Sequence, residues 1–276
     1  MKHILNIALL IISTGVFAQT EIKEFKVQDS LYMVGDRVYS LYYITPEGVV
    51  VIDPINFRIA DETLKSIRKH TDLPVKYVIY SHNHWDHNMG GKLYKQQGAS
   101  FLAHTNAEQH MAPNKMVVAV DSVWAGNKTV FTLGGKDIEM YYYGKNHGDG
   151  MTVFRFPEYN TVFTVDLVVP DRVLYAYLPD AKPRQWLEDL YEIQKLEFDQ
   201  LLMAHVRPIG AREDLDLQIR YFEDLYAATE EAMEDGTPFF EIPTTVKMPQ
   251  YEHLMNYDEW LHMNVWRILM EKAIGQ

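Results

Sequence analysis

The 276-residue sequence contains no cysteine. Without thiols the chain forms no disulfide bond, and it cannot use a cysteine nucleophile or a thiolate metal site. Basic residues are also few, since 26 Lys and Arg are outnumbered by 38 Asp and Glu and the formal net charge is −12. A surface this acidic repels nucleic-acid phosphates and anionic membranes, so we predict no nucleic-acid partner.

The longest apolar run lies at the start of the chain, where residues 4–12 are apolar except for Asn6. Lys2 precedes the run, and the small-residue end Val16-Phe17-Ala18 follows it. This pattern predicts a secretory signal peptide over residues 1–18, because the run is too short for a comfortable membrane span. Cleavage after Ala18 would leave a periplasmic or secreted protein with no stable membrane insertion, and an uncleaved anchor is the alternative.

The composition favours a single large core, because 47% of the residues are hydrophobic and 13% are aromatic. Two successive sets of predicted hairpins, over residues 24–103 and 129–204, each continue into a helix and a strand. This arrangement predicts an α/β fold of two similar halves whose sheets pack face to face, with helices outside. No linker or repeat is visible, so we predict one domain over residues 19–276 with a helical extension over about 212–276.

Four potential metal ligands, His82, His84, Asp86 and His87, occur within six consecutive positions after the predicted strand over residues 75–80. In extended backbone the side chains at positions 82, 84 and 86 point to one side. The spacing suits one metal held by His82 and His84, and a second held by Asp86 and His87 at a separation of about 3.5–4 Å. Imidazole and carboxylate donors favour zinc, with iron and manganese as alternatives, unless the segment is only a histidine-rich surface loop.

Three further donors follow turn-rich or apolar segments, where side chains can converge on this cluster. His147 lies in a loop with three glycines, and Asp166 and His205 each directly follow an apolar run. Taken singly, each residue is typical of a cap or a turn. Taken together, they complete the set of about six protein ligands that two metals need.

The segment from His82 to His87 resembles the His-x-His-x-Asp-His signature of the metallo-β-lactamase superfamily, and the similarity continues over residues 28–212. The resemblance implies a four-layer αβ/βα sandwich with two zinc ions at one edge, between the sheets. It also implies roles for individual residues: His82, His84 and His147 on the first zinc, Asp86, His87 and His205 on the second, Asp166 as the bridge, and Asp53 as a hydrogen-bonding support behind the ligands.

The sequence departs from the family pattern at two ligands. Gly148 follows His147 where the family usually has Thr, although Gly150 keeps the usual glycine. Ala204 and Val206 flank His205 in place of the usual glycines, and Arg207 follows. Arg207 either points into the mouth of the site, where it would favour an anionic substrate, or forms a surface salt bridge.

The resemblance predicts a zinc-dependent hydrolase in which a metal-bridging hydroxide, oriented by the catalytic residue Asp86, cleaves a small-molecule amide, lactone or ester bond. β-Lactam-like and lactone substrates are expected first. The alternatives are a di-iron oxidoreductase or sulfur-handling relative, a thioesterase or phosphodiesterase, and a zinc-binding module without catalysis.

The substrate pocket and the oligomeric state have weaker signals. Loops over residues 106–127 and 168–182 are expected to shape the pocket. Apolar residues near the ligands form its candidate wall: Trp85, Met89, Trp124, Tyr142, Tyr143, Tyr175 and Tyr177. In the predicted C-terminal helix, Trp260, Met263, Trp266 and Met270 form a stripe. The stripe fits a core-facing helix and an oligomer interface equally well, so the oligomeric state stays open.

Overall fold

The computed structural model describes residues 20–275. The predicted signal peptide over residues 1–18 lies outside this range. No helix within residues 20–275 combines the length and the apolar character needed to cross a bilayer.

The first sheet has seven strands that are neighbours in chain order. They are β1 (Lys23–Gln28), β2 (Leu31–Gly35), β3 (Tyr39–Thr45), β4 (Gly48–Ile52), β5 (Val75–Ile79), β6 (Ser100–His104) and β7 (Ser122–Trp124). The first four strands pair in antiparallel fashion, and β4 to β7 are parallel. Four helices connect the parallel strands: α1 (Phe57–His70), α2 (Trp85–Asn88), α3 (Lys92–Gln96) and α4 (Thr105–Met111).

The second sheet has six strands. They are β8 (Lys128–Leu133), β9 (Lys136–Tyr141), β10 (Val153–Phe156), β11 (Thr161–Phe163), β12 (Gln200–Leu202) and β13 (Ile209–Gly210). Only the β11–β12 pair is parallel, and α5 (Pro183–Gln194) lies between these two strands in the chain. A parallel pair needs such a crossover, which places a helix on one face of the sheet.

Side-chain alternation along β4 builds two separate apolar clusters. Val50 packs in the cluster that contains Phe154 and Phe163 of the second sheet. Val51 points to the opposite face and joins the cluster that contains Ala60 of α1. The first sheet is therefore covered on both faces, and the predicted four-layer α/β sandwich is confirmed.

The C-terminal extension consists of α6 (Arg212–Glu234), α7 (Ile242–Thr245) and α8 (Tyr257–Ile274). It packs on α5, where the rings of Trp186 and Phe222 lie 5.3 Å apart. The residues of α8 with the deepest burial include Leu261, Val265 and Ile268. The predicted stripe from Trp260 to Met270 is only half-buried beside this face. Trp260 instead contacts the loop that follows β11.

The region over residues 106–127, expected as a loop, contains most of α4 and all of β7. The prediction of a loop throughout this region was wrong. β7 is three residues long and exposes its first two, so it has no readable alternation. Pairing with β6 decides its conformation.

Candidate metal centre

The predicted ligands lie where strands of both sheets end. His82 and His84 follow β5, and Asp86 and His87 lie in α2. His147 is in the β9–β10 loop, and Asp166 and His205 follow β11 and β12, respectively. All seven side chains meet in one cluster between the sheets.

Asp166 is at the centre of this cluster. Its Oδ2 atom lies 3.2 Å from Nε2 of both His87 and His205, 3.3 Å from Nε2 of His147, and 3.8 Å from Nε2 of His82. One carboxylate oxygen therefore faces four imidazoles that come from three different segments of the chain.

Two of the groups of donor atoms that could hold a metal ion match the division that the family resemblance implies. His82, His84, His147 and Asp166 form one group that could hold a metal ion, and Asp86, His87 and His205 form the other. Within each group the donor atoms lie within 4.8 Å of one another. Asp166 faces members of both groups, which is the arrangement expected of a bridging ligand.

Unpartnered buried atoms show that the cluster fits metal ions. Within residues 20–275, His82 Nε2, His147 Nδ1 and Asp166 Oδ1 are buried without a hydrogen-bond partner. Burying polar atoms in this state is costly, because the hydrogen bonds to water are lost without replacement. Nitrogen and oxygen donors at this density suit divalent zinc, iron or manganese.

The electrostatics of the cluster favour cation binding. Burial acts to raise the pKa of Asp166, but His205 and His87 hold it well below the usual value, so the carboxylate is ionised. Burial lowers the pKa of His82 well below 6.5, which keeps this imidazole neutral. Burial also opposes protonation of His87, but Asp166 and Asp53 raise the pKa of His87 well above the usual value. Metal and proton therefore compete at His87, and metal affinity should rise with pH.

Asp53 supports two ligands from behind, as predicted. Its carboxylate is buried and accepts hydrogen bonds from the Ser81 amide at 2.7 Å, the Ser81 hydroxyl at 2.6 Å and His87 Nδ1 at 2.9 Å. Because the Ser81 hydroxyl donates to Asp53, it accepts from His82 Nδ1 at 2.8 Å. Both imidazoles are thus left with Nε2 directed at the cluster.

Asp180 supports His84 in the same way, and sequence reasoning missed it. His84 Nε2 donates to Asp180 Oδ2 at 2.9 Å, which leaves Nδ1 of His84 for the cluster. A Cβ on Gly148 would lie 3.2 Å from His84 Nε2 and 3.4 Å from Asp180 Oδ2. The glycine that replaces the family's Thr therefore leaves room for this pair. No motif marks Asp180, so only the path of its loop identifies it.

The loop that carries His147 is fixed by a buried carboxylate on α5. Asn146 Nδ2 donates to Asp189 at 2.7 Å, and Asn146 Oδ1 accepts from the His147 amide at 2.6 Å. Gly150 completes the loop at a φ of +81°, and a Cβ there would lie 2.2 Å from the backbone nitrogen of Ala107. Only glycine permits this approach to α4, which explains why the family's glycine is kept.

We predict that Asp189 makes stability depend on pH. Burial raises the pKa of Asp189 to about 6, against the hydrogen bonds from Asn146 and Gln185. An acid with a raised folded-state pKa stabilises the fold below its unfolded pKa and loses that contribution as pH rises through the folded value. Relative to Asp189→Asn, the wild type should lose about 3 kcal/mol between about pH 4 and about pH 6. Urea unfolding of both proteins in chelator measures this difference, and a pH-independent difference would contradict it.

A cavity of about 400 Å³ opens onto the cluster. Trp85 and Tyr175 of the predicted pocket wall line it, whereas Trp124 and Tyr142 pack around the ring of His104. Tyr177 and Lys145 line a neighbouring surface depression instead.

Arg207, for which the sequence left the mouth of the site and a surface salt bridge as alternatives, pairs with Asp171 and Asp214. The salt-bridge alternative for Arg207 is therefore the one that the structure bears out. The cationic side chain that lines the cavity is Arg172.

Comparison with known families identifies the group to which this cluster belongs. The model of the metallo-beta-lactamase superfamily matches residues 34–205, which include every predicted ligand. The chain belongs to this superfamily. The predicted class, a metal-dependent hydrolase, is thereby confirmed at the level of the family.

Two relatives of this superfamily member have names that give different activities. A metallo-beta-lactamase type 2 from Elizabethkingia meningoseptica is 27% identical over 209 residues, which are 71% of this chain and 83% of the relative. The alpha subunit of a 2,4-dinitroanisole O-demethylase from Nocardioides sp. (strain JS1661) is 22% identical over 262 residues, 90% of this chain and 79% of the relative.

Solved structures show the same fold. A metallo-beta-lactamase from Pontibacter korlensis aligns with a TM-score of 0.66 at 21% identity, over 74% of this chain and 100% of its own. The sec-alkylsulfatase Pisa1 from Pseudomonas sp. aligns with a TM-score of 0.77 at 18% identity, over 92% of this chain. This chain spans half the length of Pisa1. The alignment with Pisa1 covers more of this chain than the alignment with the Pontibacter korlensis protein does. Most of the C-terminal extension therefore also has a counterpart in Pisa1.

Proposed function

We propose that this protein is a zinc-dependent hydrolase that binds two Zn²⁺ per chain and cleaves an ester, lactone or amide bond of a small molecule. β-Lactam-like and lactone substrates are the first candidates. The observation that carries the proposal is the convergence of four imidazoles on Asp166 Oδ2 beside an open cavity. The volume of about 400 Å³ suits a small molecule rather than a polymer.

Each ligand side chain has a proposed place. His82, His84 and His147 would hold one ion, Asp86, His87 and His205 the other, and Asp166 both. When bound, the two ions supply a water whose pKa falls from 15.7 towards about 7 and polarise the oxygen of the scissile bond.

Asp86 has a second proposed role, because it is the carboxylate of its group that faces the cavity. Its Oδ2 lies 4.0 Å from His87 Nε2 and 3.9 Å from His205 Nε2, and its side chain is 36% exposed. From this position the carboxylate orients the attacking water and returns a proton to the leaving group. Asp53 and Asp180 keep His87 and His84 in the rotamers and tautomers that binding needs.

We expect metal removal to abolish hydrolysis. Protein treated exhaustively with chelator should be inactive against a chromogenic panel of lactam, lactone, thioester and phosphodiester substrates, and Zn²⁺ should restore its activity. The reason is that the chain offers no cysteine, and the cluster holds only ligand-type side chains. Circular dichroism of the chelated protein controls for unfolding. Full activity after chelation would contradict the proposal, and two iron ions per purified chain would favour the oxidoreductase alternative.

A further inference from the structure

Arg172 brings a charge to the cavity, and no carboxylate of the described residues pairs with it. It lies in the loop that follows Asp166 and lines the cavity beside the cluster. Its Nε atom is buried without a hydrogen-bond partner, and no carboxylate within residues 20–275 forms an ion pair with its guanidinium. A partly buried, unpaired charge is costly, so its place requires an explanation.

The neighbouring acidic groups are already engaged. Asp171, the preceding residue, pairs with Arg207 at 2.8 Å. Burial lowers the pKa of Arg172, and the charges of Asp166 and Asp86 oppose this from beyond ion-pair distance. Both of these carboxylates belong to the candidate metal centre. Arginine stays protonated at neutral pH, so its charge is free for a ligand.

Aromatic packing holds the guanidinium in place without using its hydrogen-bond donors. The carbon of the Arg172 guanidinium lies 5.3 Å from the ring centre of Trp260 in α8. Tyr175 packs edge-on against the same ring at 5.1 Å. Contact with a ring face satisfies the charge only in part and leaves the N–H groups available.

The backbone around Arg172 is fixed before any ligand binds. Met255 donates its amide to Asp171 and accepts from the Val173 amide, at 2.9 and 3.2 Å. Asn264 of α8 donates to the carbonyl groups of Leu174 at 3.0 Å and Ala176 at 2.8 Å. These bonds offset strained left-handed conformations at Asp171, Ala176 and Leu178, with φ of 59°, 43° and 47°. The C-terminal extension thus preorganises one wall of the cavity.

The remaining wall of the cavity is largely apolar, with contributions from Trp85, Tyr175 and Leu178. We propose that Arg172 is a specificity-determining residue that binds an oxyanion head group, so that the substrate is a small amphipathic anion with an apolar remainder. This inference rests on the proposed hydrolase function, because the bound anion is a substrate only if the protein hydrolyses it. A carboxylate and a sulfonate share the required chemistry, since each offers two oxygens to the planar fork of arginine.

Binding of matched probes that the enzyme cannot hydrolyse tests this assignment. Hexanesulfonate and hexanoate are the anions, and hexyl methyl sulfone and heptan-2-one are their neutral, non-hydrolysable counterparts, each titrated into the zinc-loaded protein by calorimetry. Wild type should prefer each anion, and Arg172→Gln should reduce that preference by about tenfold to a hundredfold. Arg172→Lys, which keeps the charge but loses the fork, should retain part of it. If Arg172→Gln loses more of its preference for one of the two anions, that anion has the head group that Arg172 recognises.

Arg37→Gln is the matched control, because Arg37 is an exposed arginine and its substitution changes the net charge equally. Its anion preference should equal that of the wild type. If Arg172→Gln, folded by circular dichroism, keeps the full preference, the metals select the anion and the inference is overturned. If Arg172→Gln does not fold, an undiminished preference in Arg172→Lys overturns it instead. The binding experiment does not depend on hydrolysis, because no probe is cleaved. If the zinc-loaded protein hydrolysed no substrate of the chromogenic panel, the hydrolase proposal would fail but the anion preference could still be measured.

Discussion

Asp166→Asn is expected to lower kcat/KM by at least about 10³-fold, since metal assistance contributes several kcal/mol and each 1.36 kcal/mol is tenfold. Asp166 Oδ2 faces imidazoles of both ligand groups. The amide keeps the shape of the side chain but removes the negative charge that two cations need. The fold should persist, because Asp166 Oδ1 has no hydrogen-bond partner within residues 20–275.

Metal content per chain, measured by mass spectrometry beside the kinetics, distinguishes loss of a ligand from loss of activity alone. The Asp166→Asn protein should hold fewer than two ions. Asp61→Asn is the matched control, because Asp61 is an exposed carboxylate on α1 whose partner is Lys65. Wild-type turnover with two bound ions in Asp166→Asn would show that Asp166 has no part in the centre.

Asp53→Ala should be the most destabilising single substitution near the site, with a loss of about 3–5 kcal/mol in the free energy of unfolding. The carboxylate is wholly buried and accepts three hydrogen bonds, and its removal leaves the donors of Ser81 and His87 unpaired. Alanine also tolerates the φ of 56° at this position less well than aspartate does. Urea unfolding of the metal-free protein measures the loss.

Asp53→Asn separates the contribution of Asp53 to the stability of the fold from its contribution to metal binding. Asparagine accepts the φ and keeps one oxygen, so the fold should suffer less, but metal affinity should fall by about 10–100-fold because the support of His87 is weakened. Asp29→Ala serves as a control, since the Asp29 side chain is 93% exposed and pairs with Lys26 on the surface. A loss below about 1 kcal/mol in Asp53→Ala would refute the predicted importance of the buried carboxylate.

Prediction from the sequence succeeded where a structure depends on a local pattern. The first set of hairpins was predicted from short apolar segments separated by turns, and β1 to β4 do pair in antiparallel fashion. The helix predicted to follow these hairpins is α1, and Asn56 caps it by accepting from the Ile59 amide at 3.0 Å. The short strand β7 has neither a recognisable apolar pattern nor helical spacing, so only its pairing with β6 in the structure identifies it as a strand.

The same distinction applies to the candidate site. The ligands from His82 to His87 can be identified because four of them occur within six consecutive positions. His147, Asp166 and His205 can be identified by their places after strands or in turns. Asp180 and Arg172 have no such context, because their loop is placed by α8 and by hydrogen bonds from Asn264. Arg207 shows the limit of prediction from sequence, since its neighbours in the chain agreed equally with a side chain in the mouth of the site and with a surface salt bridge.

By itself, the sequence determined the class of the fold, the superfamily and the set of side chains that meet around Asp166. The class of the fold follows from hydrophobic periodicity, which is a local feature, and the superfamily and the ligand set follow from the resemblance of the segment from His82 to His87, and of the ligands after it, to the family signature. Only the tertiary structure decided which arginine enters the cavity and which carboxylates orient the imidazoles. Arg207 meets Asp214, whereas Arg172 meets Trp260, and the partners of both arginines come from the C-terminal extension. The contact between Arg172 and Trp260 joins segments far apart in the chain, and it depends on how loops cross the sheets, which no spacing along the chain encodes.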